Sequence, residues 1–190
     1  MSGMLRISGG LWCGRKLRPM AGGSTARPTT ARVRESVLAR LESPLAEARV
    51  LDLFAGSGLM GLEMLSRGAH FALVVEKDPK QAQQIVQQYL HLGVPKAQFR
   101  VVSADILSWV KRPPVWLHKP DFLPFDMAYL DPPYGFERLP VVLEMLETQG
   151  WLTPQAYLVV EQSTRDPILP GYEPYLYGDT RVSIRHLEHP

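Results

Sequence analysis

The sequence lacks several features that would narrow its function at once. It has one cysteine among 190 residues, so no internal disulfide can form, and no cysteine or histidine cluster has zinc-site spacing. No run of about 18 apolar residues is present, as a membrane-spanning helix would need. The N-terminus has neither the continuous apolar stretch nor the cleavage pattern of a signal peptide. These absences predict a cytoplasmic protein with no metal and no membrane contact; we separately expect a monomer.

A strong overall charge is also lacking, but the net charge of +2 hides an asymmetry. Residues 1–40 hold eight arginines and lysines against one acid, Glu35, which gives +7 and leaves −5 for the remaining 150 residues. A basic arm on an acidic body predicts a polyanionic partner that is contacted mainly through one end. The alternative is a solvated, loosely folded terminus.

Apolar runs alternate in type along the rest of the chain, which is 45% hydrophobic overall. Segments typical of buried strands occur at 48–54, 71–76, 98–102, 125–130 and 156–162. Helical patterns occur at 58–69, from Pro79 to about Leu92, shortly after Asp105, and at 137–149. Strands alternating with helices predict an α/β fold with a doubly wound, mostly parallel sheet.

Both ends of this pattern carry additional elements. Thr29 or Thr30 can cap a helix with an apolar face, formed by Val33, Val37, Leu38 and Leu41. The segment 173–187 predicts an antiparallel hairpin with Gly178-Asp179 at its turn. A proline-rich loop, 111–126, is expected near the active edge of the sheet, and its pattern indicates no function.

The stretch "DLFAGSG" (52–58) places glycines in the turn between the first strand and its helix. Such a turn lets a ligand approach backbone amides at a helix N-terminus. It lacks the G-x-G-x-x-G spacing of a dinucleotide site, and no G-x-x-x-x-G-K-[ST] loop occurs in the chain. Asp52 would repel phosphate but suits an ammonium group. A ligand with an amine and a carboxylate fits better, as in the amino-acid end of S-adenosylmethionine; the alternative is a purely structural turn.

Two further acids end strands at the same predicted edge. Glu76 follows the glycine turn by about 20 residues, where an acid can hold both ribose hydroxyls. Asp105 could accept a hydrogen bond from an adenine amino group, or cap the helix that follows it.

The motif "LDPPYG" (130–135) closes the fourth predicted strand. An exocyclic amino group on a nucleobase is a poor nucleophile because its lone pair is delocalised into the ring. Asp131 and the carbonyl of Pro132 can accept its two hydrogens and aim the nitrogen at an electrophile, while Pro133 stiffens the turn. Tyr134 offers a face on which the base can stack. The alternative is a strand-ending turn with a packed tyrosine.

These motifs resemble those of class I S-adenosylmethionine-dependent amino-group methyltransferases. Four stretches, "RISGGLWCGRKL" (6–17), "RPTTARVRES" (27–36), "LDLFAGSGLMGLEMLSRGA" (51–69) and "YLDPPY" (129–134), further resemble the bacterial RsmD family. Members of that family methylate the N2 amino group of one guanine in 16S ribosomal RNA. The resemblance implies a Rossmann-like fold with a seven-stranded sheet, S-adenosylmethionine as cofactor, and 16S rRNA in an assembling small ribosomal subunit as partner.

The resemblance also implies a role for each matching position. It divides the chain into a basic RNA-binding arm or hairpin (1–28) and a methyltransferase domain (29–190). The cofactor residues would be Thr29, Arg32, Asp52, Ala55, Gly56, Gly58, Glu76 and Asp105. Asp131, Pro132 and Tyr134 would hold the guanine, and Arg6, Arg15, Lys16 and Arg18 the RNA phosphates.

Two positions depart from the family pattern, and other functions compete with it. Ala31 stands where the family often has an acid, and Tyr134 where many members have phenylalanine. An adenine or cytosine amino-methyltransferase acting on DNA would share the D-P-P-Y motif but normally needs a target-recognition domain, for which no stretch is long enough. A protein-glutamine methyltransferase favours asparagine before the prolines. A non-catalytic RNA-binding protein on the same scaffold is the remaining alternative.

Overall fold

One mixed sheet of seven strands organises the molecule. The computed structural model describes residues 5–18, 31–111 and 123–188. Its strands are β1 (Arg49–Leu53), β2 (Phe71–Glu76), β3 (Phe99–Ser103), β4 (Phe125–Leu130), β5 (Leu152–Ser163), β6 (Glu173–Tyr177) and β7 (Thr180–His186). They lie in the order β3-β2-β1-β4-β5-β7-β6. The first five are parallel, and β7 runs antiparallel to both β5 and β6.

Helices connect the parallel strands and cover both faces. Within the described residues they are α1 (Ala31–Arg40), α2 (Glu42–Leu45), α3 (Leu59–Ser66), α4 (Pro79–His91), α5 (Ile106–Val110) and α6 (Leu139–Thr148), with a 3₁₀ turn at Lys96–Gln98. Asp78 caps α4 by accepting from the backbone N–H groups of Lys80 and Gln81 at 2.8 and 2.9 Å. This is the α/β fold with a mostly parallel, doubly wound sheet that the sequence predicted, including the C-terminal hairpin.

Two apolar cores lie on opposite faces of the sheet. Alternate residues of a strand point to opposite faces: in β1, Val50 joins the core beneath α1, α3 and α4, whereas Leu51 and Leu53 join the core beneath α5 and α6. Asp52, between the last two, therefore points to the α3 side. Every residue of α3 is buried. A helix that is buried on all sides needs cover on its outer side as well.

The cover of α3 is an N-terminal hairpin, residues 5–18. Its two arms exchange backbone hydrogen bonds, from Ile7 N–H to Arg15 C=O at 3.0 Å and from Leu17 N–H to Leu5 C=O at 2.9 Å. Ile7, Trp12 and Leu17 are buried in the same core as α1 and α3. The described part of the basic arm is thus packed on the body, which argues against a loosely folded terminus.

Some predicted bounds were wrong. β5 begins at Leu152 rather than 156, because Leu152 pairs with Phe125 before a register shift that lies between Phe125 and Met127. Helix α1 ends at Arg40; Leu41 is buried just beyond it and leads into α2, a short helix that the sequence pattern did not predict. The predicted caps Thr29 and Thr30, and 112–122 of the proline-rich loop, lie outside the described residues.

Within the described ranges, none of the helices combines the length and apolarity needed to cross a membrane. The same ranges contain no grouping of three or more histidine, cysteine, aspartate or glutamate side chains suited to a metal ion.

Candidate functional site

The predicted site residues of three strands meet at one edge of the sheet. β1 lies between β2 and β4, and Asp52 is in register with Val74 on one side and Tyr129 on the other. The carboxyl ends of these parallel strands therefore point the same way. In open α/β sheets, ligands bind outside the carboxyl ends of the strands, where the strand order reverses. Here that reversal falls between β1 and β4.

Three alternate residues in the turn from β1 to α3 have positive φ. Phe54, Gly56 and Gly58 have φ values of +62°, +55° and +69°. A Cβ on Gly58 would lie 2.7 Å from Ile85 Cγ2, so α4 packs where any side chain would need space. A non-glycine residue at positive φ costs about 1–3 kcal/mol and persists only when its surroundings fix it. The Phe54 ring packs edge-on against Phe136, with 5.1 Å between ring centroids.

Glu76 connects this turn to the start of α4. One carboxylate oxygen accepts from the N–H of Gly56 at 2.7 Å, and the other accepts from the N–H of Asp78 at 2.8 Å. Each oxygen retains a second lone pair, so the pinned carboxylate can still accept from a diol. The residue is 9% exposed. Glu76 is thus fixed between two loops by its backbone contacts, and its contact with a ribose stays a prediction.

Asp52 supports the turn from below. It is 2% exposed, and one of its oxygens accepts from the N–H of Gly61 at 2.8 Å. Burial, and to a lesser extent the charge of Glu76, raises the pKa of Asp52 to about 7, against the opposing effect of the Gly61 hydrogen bond. A Cβ at Gly61 would come within 2.7 Å of the Tyr89 hydroxyl and 3.1 Å of the Asp52 oxygen. The direct contact with a ligand ammonium group stays a prediction.

Asp105 caps the start of α5, which was the second of its two predicted roles. Its carboxylate accepts from the N–H of Ser108 at 3.2 Å at the start of α5 and lies 3.3 Å from Lys77 Nζ. The Ser108 hydrogen bond, followed by Lys77, lowers the pKa of Asp105 despite partial burial. An adenine contact remains compatible with this geometry and untested by it.

The D-P-P-Y segment extends the β4 end toward the glycine turn. The N–H of Asp131 donates to Leu53 C=O at 3.4 Å, so Asp131 still pairs with the end of β1. Pro132 is buried, whereas Tyr134 is 60% exposed. The N–H of Phe136 donates to Pro133 C=O at 3.2 Å and closes the turn before α6. The carboxylate of Asp131 therefore lies at the end of β4 next to a rigid turn, and the solvent-exposed ring of Tyr134 follows it.

A buried pair that the sequence reasoning missed lies directly below Asp131. The hydroxyl of Tyr129 donates to a carboxylate oxygen of Glu161 at 2.5 Å, and both residues are buried. Burial, then the charges of Glu161 and Asp131, raises the pKa of Tyr129 far above its ordinary value. The available signal was a glutamate placed in the apolar run "AYLVVEQ", next to the strand that carries the motif.

Comparisons with known proteins agree with this geometry. The family described as conserved hypothetical protein 95 matches residues 5–176. Ribosomal RNA small subunit methyltransferase D from Escherichia coli K12 is 36% identical over 172 residues, which cover 90% of this chain and 81% of that protein. The Haemophilus influenzae protein of the same name is 34% identical over 167 residues, covering 88% and 83%. The chain belongs to the RsmD family.

A solved structure gives the same result for the RsmD family fold. The structure titled "Putative methyltransferase yhhF from Escherichia coli" superimposes with a TM-score of 0.82 at 32% identity, covering 99% of this chain and all of that one. The family resemblance seen in the sequence motifs is therefore confirmed over nearly the whole chain, hairpin included.

The predicted RNA-binding residues of this RsmD family member lie away from the D-P-P-Y edge. Arg6, Arg15, Lys16 and Arg18 are all exposed on the N-terminal hairpin. Arg15 donates to Leu92 C=O at 3.1 Å, just beyond the end of α4, and Arg18 lies 3.5 Å from His91 Nδ1. Helices that follow parallel strands run back across the sheet, so the ends of α3 and α4 lie where the strands begin.

Two predicted cofactor residues at the start of α1 have different outcomes. Arg32 is exposed in the first turn of α1. Thr29 lies outside the described residues. Their roles as cofactor-binding residues stay predictions.

Proposed function

We propose that this protein transfers the methyl group of S-adenosylmethionine to the exocyclic N2 amino group of one guanine in 16S rRNA during small-subunit assembly. The observation that carries the proposal is the meeting of the pinned Glu76, the glycine turn and Asp131 at adjacent strand ends. The named relatives, ribosomal RNA small subunit methyltransferases, support rRNA as the substrate.

The residues present fit S-adenosylmethionine. Glu76 offers two fixed oxygens for ribose hydroxyls, because backbone N–H groups hold it on both sides. Gly56 leaves the backbone of the turn open to close approach by a ligand, because a Cβ there would meet nothing within 4 Å, whereas at Gly58 the same space is filled by Ile85 of α4. Asp52 lies behind the turn, and because burial raises its pKa to about 7, a cationic ligand nearby would favour its ionised form. When bound, S-adenosylmethionine supplies an already activated methyl group on a sulfonium.

Asp131 and Pro132 would orient the guanine. Both would accept hydrogens of the amino group, one through a carboxylate and one through a backbone carbonyl. The carboxylate is half-buried, where a charge-assisted hydrogen bond is stronger than in water. The Pro132-Pro133 turn lacks backbone N–H groups and cannot rotate freely. Tyr134, exposed beside them, would stack on the base.

The N-terminal hairpin would contact the RNA phosphates. Of its four predicted cations, Lys16 makes no side-chain hydrogen bond or ion pair within the parts of the chain that the structure describes, so its ammonium group is available to a phosphate. Phosphate contacts position an RNA but carry little sequence information. Selection of the guanine would therefore depend on the D-P-P-Y edge and on the shape of the RNA.

Nucleoside analysis tests the proposal. Purified protein is incubated with S-adenosylmethionine and 16S rRNA or partly assembled small subunits from cells that lack the gene, and the digested RNA is analysed by mass spectrometry. The expected product is one N2-methylguanosine per RNA. N6-methyladenosine would instead support an adenine enzyme, and no methylated nucleoside would support a non-catalytic RNA-binding protein. Calorimetry should show binding of S-adenosylmethionine and none of NAD or ATP.

A further inference from the structure

A fully buried carboxylate joins the N-terminal hairpin to the body. Glu63, in the middle of α3, has no exposed side-chain surface. One of its oxygens accepts from the Ser8 N–H of the hairpin at 2.7 Å and from Arg34 Nε of α1 at 3.3 Å. The other accepts from Arg67 Nη1 at 3.1 Å. A buried charge is tolerated only with such a set of partners.

Both arginines that neutralise Glu63 also hold the hairpin. Arg34 Nη2 donates to Arg6 C=O at 3.1 Å, and Arg67 Nη2 donates to the Ser8 hydroxyl at 3.1 Å. Arg34 is itself 4% exposed. The three charged groups therefore bind the backbone and side chain of the 6–8 segment from three directions.

The turn of the hairpin covers the end of α3. Leu11 N–H donates to Ser66 C=O at 2.7 Å, one of the last carbonyls of the helix. The Ser66 hydroxyl donates to Gly9 C=O at 2.6 Å and accepts from the Trp12 N–H at 2.9 Å. Helix ends need partners for their final carbonyls, and the hairpin backbone provides one here.

Two glycines of the hairpin are required by this close approach. A Cβ on Gly10 would lie 1.8 Å from Ser66 O, against backbone that cannot move aside. A Cβ on Gly9 would lie 2.3 Å from the Arg67 guanidinium, which would have to shift. Gly14 differs: its φ of +78° matches the +74° of Gly10, but nothing lies within 4 Å of a Cβ there.

The hairpin thus has one side that binds the body and another that is exposed to solvent. Its backbone and Ser8 face Glu63, Ser66 and Arg67, while its cations are exposed. We propose that Glu63 is a positioning residue for RNA: by fixing the hairpin to α1 and α3, it holds the exposed cations at a set distance from the methyl-transfer edge. The inference rests on the proposed function, because it takes the ligand of the hairpin to be RNA.

The docked position has a consequence for the substrate. The hairpin turn lies at the ends of α3, where the strands begin, and Asp131 lies where they end. β1 alone spans about 17 Å at about 3.3 Å per residue. At one phosphate per strand for about every 3.4 Å of duplex axis, this length corresponds to about five nucleotides of a base-paired RNA. In a base-paired substrate, an RNA that carries only the target guanine and its immediate neighbours is therefore too short to reach both.

The test compares Gly10→Ala with Gly14→Ala. Both replacements impose the same strained backbone on a hairpin glycine, but only the first clashes with the end of α3. Methylation kinetics are measured on full-length 16S rRNA and on a short RNA centred on the target, with tryptic cleavage at the hairpin cations as a probe of docking. Gly9→Ala, in which a flexible side chain can yield, serves as a milder second variant.

We expect Gly10→Ala to speed cleavage of the hairpin and to raise KM for the long RNA at least about 10-fold. Its kcat, its affinity for S-adenosylmethionine and its KM for the short RNA should remain within about 2-fold of those of Gly14→Ala. Gly9→Ala should change the same quantities in the same direction, but less. Glu63→Gln should match Gly10→Ala in its KM for the long RNA, and a folded Glu63→Gln variant that matches Gly14→Ala instead overturns the inference.

The inference is overturned if Gly10→Ala or Gly9→Ala exposes the hairpin to trypsin while KM for the long RNA equals that of Gly14→Ala. It is also overturned if the variants raise KM equally for both RNAs, or if the hairpin of Gly10→Ala stays as protected as that of Gly14→Ala. Failure of the proposed function is distinct, because the wild-type protein would then methylate neither RNA.

Discussion

Asp52→Asn should make the protein without its cofactor more stable at neutral pH and remove part of its pH dependence. Burial raises the pKa of Asp52 to about 7, so the folded protein keeps this carboxyl protonated at pH values where the unfolded chain, with a pKa near 3.9, has released the proton. The folded state binds more protons, and stability therefore falls as pH rises from about 4 to about 7. Above pH 7 this contribution is constant.

The size of the effect follows from the distance between the two pKa values. About three pH units at about 1.4 kcal/mol each give an upper value of about 4 kcal/mol, of which about 2–3 kcal/mol should develop between pH 5 and pH 8. Asparagine keeps an oxygen for the Gly61 N–H, which donates to Asp52 at 2.8 Å in the wild type, and it cannot ionise.

Urea unfolding at pH 5 and pH 8 measures this difference, with Asp179→Asn at the exposed β6–β7 turn as the control. Asp52→Asn should gain stability relative to both the wild type and the control as pH rises. If the unfolding free energies of all three proteins changed equally between pH 5 and pH 8, the conclusion that the folded protein holds Asp52 protonated would be wrong. In the wild type, S-adenosylmethionine should reduce the loss of stability between pH 5 and pH 8, because a cationic ligand favours the ionised carboxylate of Asp52.

Four further changes test the site and the hairpin. Gly61→Ala should destabilise the protein by about 1–3 kcal/mol in thermal unfolding, because the new Cβ would lie 2.7 Å from the Tyr89 hydroxyl. Glycine to alanine in a helix normally stabilises by up to about 1 kcal/mol, so a gain in stability would contradict this packing. Glu76→Ala should weaken S-adenosylmethionine binding by about 1–3 kcal/mol in calorimetry, and unchanged affinity would remove Glu76 from the cofactor site. Tyr134→Phe should leave RNA affinity nearly unchanged, whereas Tyr134→Ala should lose about 1–3 kcal/mol; equal effects would exclude stacking. Replacing Arg15, Lys16 and Arg18 of the hairpin with alanine should weaken RNA binding and flatten its salt dependence without changing cofactor affinity. If this triple variant bound RNA as the wild type does at two salt concentrations, the RNA phosphates would lie elsewhere.

The elements of the fold could be predicted because apolar runs and their glycine and proline boundaries are local signals. β2 and β4 match their predicted bounds, and α4 begins at the predicted Pro79. The convergence of Glu76 and Asp131 followed from the same pattern, since parallel strands bring their carboxyl ends to one edge. The start of β5 was missed because its first residues, "LTPQ", carry no apolar run.

The contacts that give the site its properties could not be predicted in this way. Asp52 is turned to the Gly61 N–H rather than left facing the turn, and this direction depends on how closely α3 packs on β1. The Tyr129–Glu161 hydrogen bond joins residues 32 positions apart. The docking role of Glu63 had only one signal, a charged residue in an otherwise apolar helix.

Single-turnover methylation by Asp131→Ala tests the central claim most directly. Wild type and variant are compared on partly assembled small subunits, with RNA and S-adenosylmethionine affinities measured in parallel. If Asp131 orients the guanine amino group, methyl transfer falls by about 10²-fold or more while both affinities stay within about 2-fold. Methylation by Asp131→Ala at the wild-type rate would contradict the account.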